Sequence, residues 1–281
     1  MNKKKVNKTI IYHMLTLAAG LIMIYPLVWM VMSSFKVSST VFSTATSLIP
    51  ENFTFENYLT GWQGFAKTTF GTFIGNTFFV SVSAMVFTCV SSLVVAYGIA
   101  RLNFPGKKII FSLILLTMML PAQVMMIPQY LWYNKLGWLN SYKPLIIPYL
   151  FGIHGFFVYL VSNFIQGIPR ELDASAKIDG CSFYTIFTKI IVPLTTPALG
   201  TVAIFAFINT WNDYMSPLLY LRSTKKYTVS LALKLFSDPT SVSDFGAMFA
   251  MSTVSLIPVF MIFIFMQRYI IEGVSTSGIK G

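Results

Sequence analysis

The chain has 281 residues, of which 55% are hydrophobic and only 10% are charged, and its formal net charge is +11. Soluble domains are about 25% charged, so this composition excludes a soluble globular protein. The basic residues cluster just beyond the ends of apolar runs, where they meet anionic lipid head groups, and they therefore do not indicate nucleic-acid binding.

Six apolar runs are each long enough to cross a hydrocarbon core of about 30 Å. They predict an all-α membrane protein with transmembrane helices over residues 10–32, 74–100, 109–131, 144–165, 199–221 and 248–266. The first run follows a basic tail, but it is too long for the core of a signal peptide and no small-residue cleavage site follows it. We therefore expect a retained anchor.

The distribution of basic residues predicts which loops face the cytoplasm. With the N-terminus inside, the inner loops hold 12 Lys and Arg residues and the outer loops hold 8. The opposing cluster lies in the fifth loop and consists of Arg222, Lys225, Lys226 and Lys234. The predicted regions are a cytoplasmic tail with the first helix (1–32), an extracellular loop (33–73), a core of five helices (74–266) and a cytoplasmic tail (267–281).

Between the fourth and fifth runs lies a charged segment, residues 168–193, with the sequence IPRELDASAKIDGCSFYTIFTKIIVP. Glu171 and Asp173 follow a proline that suits the first turn of a helix, near the positive end of its dipole. Asp179 and Gly180 end that helix, because glycine takes the left-handed conformation that a helix end needs. Ser182 can then cap a second helix.

The second part of this segment predicts an amphipathic helix. Its apolar residues follow the spacing i, i+3, i+4, i+7, i+8 and are Phe183, Ile186, Phe187, Ile190 and Ile191. We expect this helix to lie on the membrane surface. In the first helix, Ala174, Ser175 and Ala176 present a face of small residues that another protein can approach closely. The segment therefore predicts a docking module on the cytoplasmic side.

This segment resembles the cytoplasmic signature of the permease subunits of ATP-binding-cassette (ABC) importers. The signature is Glu-Ala-Ala, three residues, Gly, and an ending similar to Ile-x-Leu-Pro. Ala174, Ser175, Ala176, Gly180 and Pro193 stand at the matching positions, with Ala174 in place of the glutamate. Other stretches are similar to the maltose-permease G-type subunits of carbohydrate importers: FPGKKIIFSLILLTMMLPAQVMMIPQY, LGWLNSYKPLIIPY, WNDYMSPLLYL and QRYIIEGVSTSGIKG.

The resemblance, which extends over nearly the whole chain, implies a type I ABC importer permease fold with a cytoplasmic coupling helix. It implies a multi-pass protein of the bacterial cell membrane that pairs with a second, homologous permease and forms a path for a sugar, such as an oligosaccharide. The implied partners are two ABC ATPase subunits and an extracellular solute-binding protein. A non-sugar solute is an alternative.

The resemblance also implies which residues contact the ATPase. In the charged segment they are Glu171, Asp173, Ala174, Ser175, Ala176, Asp179 and Gly180, and in the C-terminal tail they are Ser277, Gly278 and Lys280. Asp173, one residue before Ala174, can supply the acidic side chain that is lost when alanine replaces the family's glutamate.

Asp213 is the acidic residue that falls within a predicted span, and a carboxylate at membrane depth is a candidate for function. It stands beside Asn209, Trp211 and Asn212. Aromatic, amide and carboxylate groups suit a path for a sugar, because they offer stacking faces and partners for hydroxyl groups. The same residues can equally hold helices together near the outer end of the span.

The sequence predicts no catalytic centre, metal site or bound cofactor. His13 and His154 are far apart, and Cys89 and Cys181 differ in depth. Residues 61–68 fit the phosphate-loop pattern except that Ala66 replaces its second glycine, and no strand precedes them. We therefore expect ATP to be bound by the partner ATPase and not by this chain. No hydrolase motif is present. A secondary transporter is the less favoured alternative, because its usual inverted repeats are not visible in the sequence.

Overall fold

The computed structural model describes residues 3–152, 154–237 and 243–275, with side chains for residues 9–152, 154–237 and 243–269. Helices dominate these residues, as the apolar runs predict. They are α1 (Lys3–Ser33), α2 (Glu56–Gln63), α3 (Phe70–Arg101), α4 (Lys107–Met119), α5 (Ala122–Lys135), α6 (Lys143–Ile146), α7 (Gly155–Gly167), α8 (Glu171–Ile178), α9 (Phe183–Ile186), α10 (Val192–Leu194), α11 (Thr196–Trp211), α12 (Met215–Tyr220), α13 (Val229–Leu235) and α14 (Phe245–Ser275). Short 3₁₀ turns occupy Ser38–Thr40, Ile147–Phe151 and Thr224–Lys226, and Phe187–Ile191 is a π-helical turn.

Four described segments are long and apolar enough to cross a membrane: Thr9–Ser33, Phe70–Arg101, Lys143–Gly167 and Phe245–Tyr269. Two further apolar segments are pairs of helices with a bend between them. The bend is 103° between α4 and α5, and 68° between Phe183–Leu194 and α11. If each bent pair is counted as one span, the described residues contain six spans, the number that the sequence predicts.

The third predicted span consists of two helices. Leu120 is extended, with φ −79° and ψ 122°, because the ring of Pro121 disfavours a helical conformation in the residue before it. Pro128, in contrast, lies inside α5 without ending it. The predicted span over residues 109–131 is therefore divided into two helices at Leu120 and Pro121.

The chain splits into two compact units, Met1–Gly71 with Ala232–Ile257 and Thr72–Leu231 with Pro258–Gly281. In the first unit, Asn57 Nδ2 donates to the carbonyl oxygens of Ser34 and Lys36, both at 2.7 Å. A Cβ at Gly246 would lie 2.4 Å from Asn57 Oδ1. This close approach fixes the loop after α1 against the start of α14.

The stretch that resembles a phosphate loop is a tight turn between α2 and α3. Phe65 and Thr68 exchange two backbone hydrogen bonds, at 3.0 and 2.8 Å. Ala66 and Lys67 between them have positive φ angles of 48° and 60°. The turn therefore links two helices, whereas a phosphate loop links a strand to a helix.

The second unit has an apolar core to which the charged segment contributes. The core residues are Leu93, Ala96, Tyr97 and Ala100 of α3, Phe157, Val161 and Ile165 of α7, Val202 and Ala206 of α11, and Ile168, Ala176, Ile186 and Ile191. Close helix packing in this unit needs glycine at two points. A Cβ at Gly155 would lie 2.6 Å from the Ile114 carbonyl oxygen, and one at Gly200 would lie 2.5 Å from Tyr269.

Candidate functional site

Residues 168–193, which we call the coupling segment, begin with the short helix α8 and a sharp turn. Gly180 has a φ of +79°. Its N–H donates to the Lys177 carbonyl at 3.0 Å, and the N–H of Cys181 donates to the Ala176 carbonyl at 2.9 Å. These two bonds form a Schellman motif, which ends a helix with a left-handed glycine. The predicted turn at Gly180 is therefore confirmed.

The second helix of the coupling segment begins at a side-chain cap. Ser182 Oγ accepts a hydrogen bond from the Thr185 N–H at 3.2 Å, which confirms the predicted capping residue. From there the chain stays helical through α9, the π-helical turn and α10 as far as Leu194.

The apolar stripe of this helix packs against the protein itself. Ile186 and Ile191 are buried in the core, and Phe187 packs beside them with its ring 4.7 Å from the ring of Tyr97. Residues of α3, α7 and α11 supply the apolar surface that the stripe needs. The prediction that the stripe lies on the membrane surface is therefore wrong.

The run of small residues in α8 is divided between two faces. Ala176 is buried in the core, whereas Ala174 and Ser175 are exposed. Successive residues of an α-helix are about 100° apart around its axis, so three in a row cannot share one narrow face. The expectation that all three residues form one surface for a partner protein is therefore wrong.

The outward side of the coupling segment exposes large apolar side chains. Ile178 is 87% exposed, and Leu172 and Tyr184 are exposed as well. The candidate contact residues Glu171, Asp179 and Gly180 are also exposed. Large exposed apolar side chains of this kind make the outward side a candidate for contact with a partner protein.

An ion pair joins the coupling segment to the end of α3. Arg101 Nε lies 3.2 Å from Asp173 Oδ2, and the two side chains are only 4% and 18% exposed. Arg101 Nη2 also donates to the Ile168 carbonyl at 2.8 Å. In the reverse direction, Arg170 Nη2 donates to the Ala100 carbonyl at 3.3 Å. Three contacts therefore fix the start of α8 to the last turn of α3.

This ion pair changes the interpretation of Asp173. The sequence offered Asp173 as a replacement for the missing glutamate, but its carboxylate points inward and its second oxygen, Oδ1, is buried without a hydrogen-bond partner. In the sequence, Arg101 is one of the 12 basic residues counted for the inner loops, and no other role is predicted for it. Nothing in the local pattern links two residues so far apart in the chain.

Asp213 lies beyond the end of α11, in the connection to α12. Its Oδ1 accepts from the Ser216 N–H at 3.1 Å, and its carbonyl accepts from Ser230 Oγ at 2.6 Å. A carboxylate in this position satisfies a free N–H at the start of the next helix. The prediction that Asp213 lies inside a continuous helix over residues 199–221 is therefore wrong.

The half-buried Asp213 borders a small cavity in the second unit. The cavity measures about 30 Å³ and its other lining residues are Val80, Pro144, Leu145, Tyr149, Thr210, Ser216, Pro217 and Thr228. This volume suits a water molecule and is far too small for a sugar ring. The sequence did not single out Tyr149, Thr210 or Thr228, because they come from different elements and share no spacing.

The other candidates for a solute path are placed differently. Trp211 is buried and its ring stacks on Phe207, with 5.3 Å between ring centroids. Asn209 and Asn212 are exposed. The structure therefore brings Asp213 to the cavity, leaves the two asparagines on the surface and encloses the tryptophan.

Two further predictions concern the tail and metal binding. Ser277, Gly278 and Lys280 lie outside the described residues. Within the described part of the chain, His, Cys, Asp and Glu form no group of three or more that could hold a metal ion.

Curated relatives resemble the chain over almost its whole length. It is 31% identical to "Arabinooligosaccharides transport system permease protein AraQ" of Halalkalibacterium halodurans, with 92% of both chains covered. It is also 31% identical to "Diacetylchitobiose uptake system permease protein DasC" of Streptomyces coelicolor, again with 92% of both chains covered.

A solved structure supports the fold. The chain is similar to one in the "Crystal structure of a bacterial ABC transporter involved in the import of the acidic polysaccharide alginate", with a TM-score of 0.81, 24% identity and coverage of 96% and 98% of the two chains. The predicted all-α fold of a type I ABC importer permease is confirmed. The family model "Binding-protein-dependent transport system inner membrane component" matches residues 90–276. The chain therefore belongs to the family of binding-protein-dependent transport system inner membrane components.

Proposed function

We propose that this chain is one of two permease subunits of an ATP-driven sugar importer in a bacterial cell membrane, with an oligosaccharide as the solute. Family membership and relatives named for arabinooligosaccharides and diacetylchitobiose support this assignment. In this proposal an extracellular binding protein delivers the solute. Two partner ATPase subunits bind and hydrolyse ATP, and the chain itself catalyses no covalent reaction.

The observation that carries the proposal is the two-sided construction of the coupling segment. Its inner side belongs to the same core as α3, α7 and α11, and its outer side exposes Leu172, Ile178 and Tyr184. A segment that is fixed to the spans on one side and accessible on the other can pass a partner's movement to the membrane helices. The ATPase pair is the partner that this geometry suits.

The contacts of the segment suggest how force is transmitted. When the ATPase pair closes on ATP, it moves α8, and the Arg101–Asp173 pair carries that movement directly to α3. The buried Ile186 and Ile191 carry it to the core formed by α3, α7 and α11. The inward- and outward-open states then alternate as these helices rock against the second permease.

The replacement of the family glutamate by Ala174 gives the ATPase contact an apolar character. Ala174 and Ser175 are exposed but carry no charge, and Asp173 is engaged with Arg101. Glu171 is an exposed carboxylate on the same helix, next to Leu172. We therefore assign Asp173 and Ala176 to the inner side. The proposed contact comprises the exposed residues Glu171, Leu172, Ala174, Ser175, Ile178, Asp179, Gly180 and Tyr184.

The solute path needs the second permease. The cavity at Asp213 holds about one water molecule, so this chain alone does not enclose a sugar. Asn209 and Asn212 are exposed, and they can face a path that forms between the two permeases. In this arrangement both termini are cytoplasmic, and the family resemblance assigns Ser277, Gly278 and Lys280, which lie outside the described residues, to contact with the ATPase.

This function can be tested by measuring how much ATPase co-purifies with variants of the exposed side of the coupling segment. The chain is co-expressed with the second permease and the ATPase of the same importer, and the complex is purified through a tag on the chain. We expect Ile178→Asp to lose most of the ATPase, because a charge replaces the most exposed apolar side chain of the contact. Ile49→Asp changes an apolar residue that is 71% exposed in the loop after α1 and should retain the ATPase. Equal retention in both variants would contradict the assignment.

A further inference from the structure

The short helix α2 is fixed to the end of the α1 span, on the side opposite the basic N-terminal tail. Asn57 of α2 donates to the carbonyls of Ser34 and Lys36, which follow α1 directly. Gly61 of α2 packs against α14, because a Cβ at this position would lie 2.8 Å from the side chain of the buried Met251. One side of α2 is therefore held by the protein.

The remaining surface of α2 is divided into an apolar side and a polar side. The apolar side has the spacing i, i+4, i+7, and its residues are 63%, 68% and 48% exposed: Phe55, Leu59 and Trp62. The polar side has the same spacing one residue later, and its residues are also exposed: Glu56, Thr60 and Gln63. Successive residues of an α-helix are about 100° apart, so the two sides face different directions. The helix thus has one side on the protein, one polar side and one apolar side.

Aromatic contacts set the depth of the apolar side in the membrane. The Phe35 ring, two residues beyond the end of α1, has its centroid 4.6 Å from that of Phe53 and 5.4 Å from that of Phe55. The span Thr9–Ser33 has 25 residues, which is about 37 Å of helix. A hydrocarbon core measures about 30 Å, and a bilayer with its head groups about 40–45 Å. Phe35 and the rings that it contacts therefore lie at the level of the head groups.

The charge of this part of the chain does not suit a partner of strong charge. Residues 37–66 contain no Lys or Arg, and their acidic residues are Glu51 and Glu56. Aromatic and apolar side chains at the level of the head groups gain free energy by entering the boundary between head groups and acyl chains. Water and lipid meet at this boundary, so a helix with separate polar and apolar sides fits there.

We infer that α2 is an interfacial anchor whose exposed Phe53, Phe55, Leu59 and Trp62, which we call the aromatic face, insert into the boundary between head groups and acyl chains. Phe35 joins the aromatic face to the end of α1, so the face is continuous with a span of the membrane. The second permease and the solute-binding protein are the competing occupants. This contact with lipid goes beyond the proposed function and does not depend on it.

The anchor also sets the level of a second span. A Cβ at Gly246 would lie 2.4 Å from Asn57 Oδ1, so the start of α14 contacts the inner side of α2. Insertion of the aromatic face into lipid therefore fixes the depth of the end of α1 and of the start of α14 together.

Quenchers attached to lipids test the anchor in the complete complex, reconstituted in nanodiscs. The native cysteines are replaced, and Leu59→Cys carries a small fluorophore. The nanodiscs contain phosphatidylcholine with a nitroxide on the head group, near the top of the acyl chain or near its end. We expect the nitroxide near the top of the chain to quench most strongly, because the apolar side of an interfacial helix lies about 5–10 Å into this boundary. Added salt and added anionic lipid should leave the quenching unchanged, because residues 37–66 offer no basic side chain.

Thr60→Cys is the matched control, because Thr60 is the neighbour of Leu59 on the polar side of the same helix. We expect iodide in the water to quench its label and the lipid nitroxides to quench it far less. Trp62→Cys should repeat the depth profile of Leu59→Cys. All three side chains are exposed, so their replacement leaves the side of α2 that packs on the protein intact.

Three results would overturn the inference. Equal quenching of the Leu59→Cys and Thr60→Cys labels by every nitroxide means that α2 has no side that faces lipid. A Leu59→Cys label that neither the lipid nitroxides nor iodide reaches assigns the aromatic face to the second permease. A label that iodide quenches and the lipid nitroxides do not places the face in water, and shielding by the saccharide-loaded binding protein would then assign the face to that protein.

Discussion

The contacts of Asp173 allow the effect of removing its carboxylate to be worked out in detail. In Asp173→Asn, the Arg101 guanidinium remains 4% exposed without a counter-ion. Loss of one partner of a buried ion pair costs about 3–5 kcal/mol. The lower end applies, because Asp173 is 18% exposed.

A second effect reduces that cost. Asp173 Oδ1 is buried without a partner, and an unsatisfied buried acceptor costs about 1–3 kcal/mol. Asparagine replaces this charged, unsatisfied group by a neutral one, and its amide oxygen can still face Arg101, so we expect a net weakening of about 1–2 kcal/mol in the attachment of α8 to α3. About 1.4 kcal/mol is a factor of ten in an equilibrium constant, so the attached population should fall roughly tenfold relative to the detached one.

The assay compares ATP hydrolysis with solute uptake in the reconstituted complex. A weakened attachment should lower the number of solute molecules imported per ATP, while the ATPase stays bound through the exposed surface of α8. Arg101→Gln with Asp173→Asn removes both charges and should recover part of the coupling, because no lone charge then remains buried. Glu171→Gln is the matched control on the exposed side of the same helix. Its effect on the solute imported per ATP should simply add to the effect of Arg101→Gln. If the losses of the two single variants simply add in the double variant, the Arg101–Asp173 pair does not transmit the movement.

Three further predictions concern the turn, the exposed surface and the helix packing. Gly180→Val should abolish uptake while the protein stays in the membrane, because a β-branched residue in the left-handed conformation is disfavoured by about 1–2 kcal/mol; ATPase stimulation by loaded binding protein measures the effect. Ile178→Cys, in a chain whose native cysteines are replaced, should react with a membrane-impermeant thiol reagent only from the cytoplasmic side, and the bound ATPase should protect it. Gly155→Ala should destabilise the protein by about 1–3 kcal/mol, because its Cβ would lie 2.6 Å from the Ile114 carbonyl oxygen; thermal unfolding in detergent measures it.

Each of these predictions has its own control. Gly180→Asn tolerates the left-handed conformation better than valine and should retain more activity; equal loss in both variants would count against the role of φ. Labelling of Ile178→Cys in intact cells would reverse the assigned orientation. Gly98→Ala adds a Cβ with nothing within 4 Å and should not destabilise the protein; a matching loss of stability would show that packing at Gly155 is not the cause.

The parts of the fold that depend on local chemistry were predictable from the sequence. The turn at Gly180 and the helix cap at Ser182 were predicted correctly. A left-handed glycine and a capping hydroxyl bond only to residues within one helical turn, so the local sequence is sufficient to predict them. The extended conformation of Leu120 follows from Pro121 alone, but the 103° angle between α4 and α5 depends on what each helix packs against.

The parts that depend on tertiary contacts were not predictable. The spacing of the stripe from Phe183 to Ile191 showed that one face is apolar, but it could not show whether lipid or protein covers that face. The partner of Asp173 lies far away in the chain, so no local signal indicates it. For Asp213, hydropathy marked a span, whereas a hydrogen bond to Ser216 fixes its position in a connection.

Uptake by the purified complex in proteoliposomes determines whether this chain belongs to an ATP-driven sugar importer. The complex contains this chain, the second permease and the ATPase pair, with a labelled oligosaccharide and its binding protein on one side of the membrane. We expect the saccharide to accumulate only when the binding protein is present and ATP is supplied on the side of the ATPase. No ion gradient should be needed. Accumulation driven by a proton or sodium gradient in the absence of ATP would contradict it and indicate a secondary transporter.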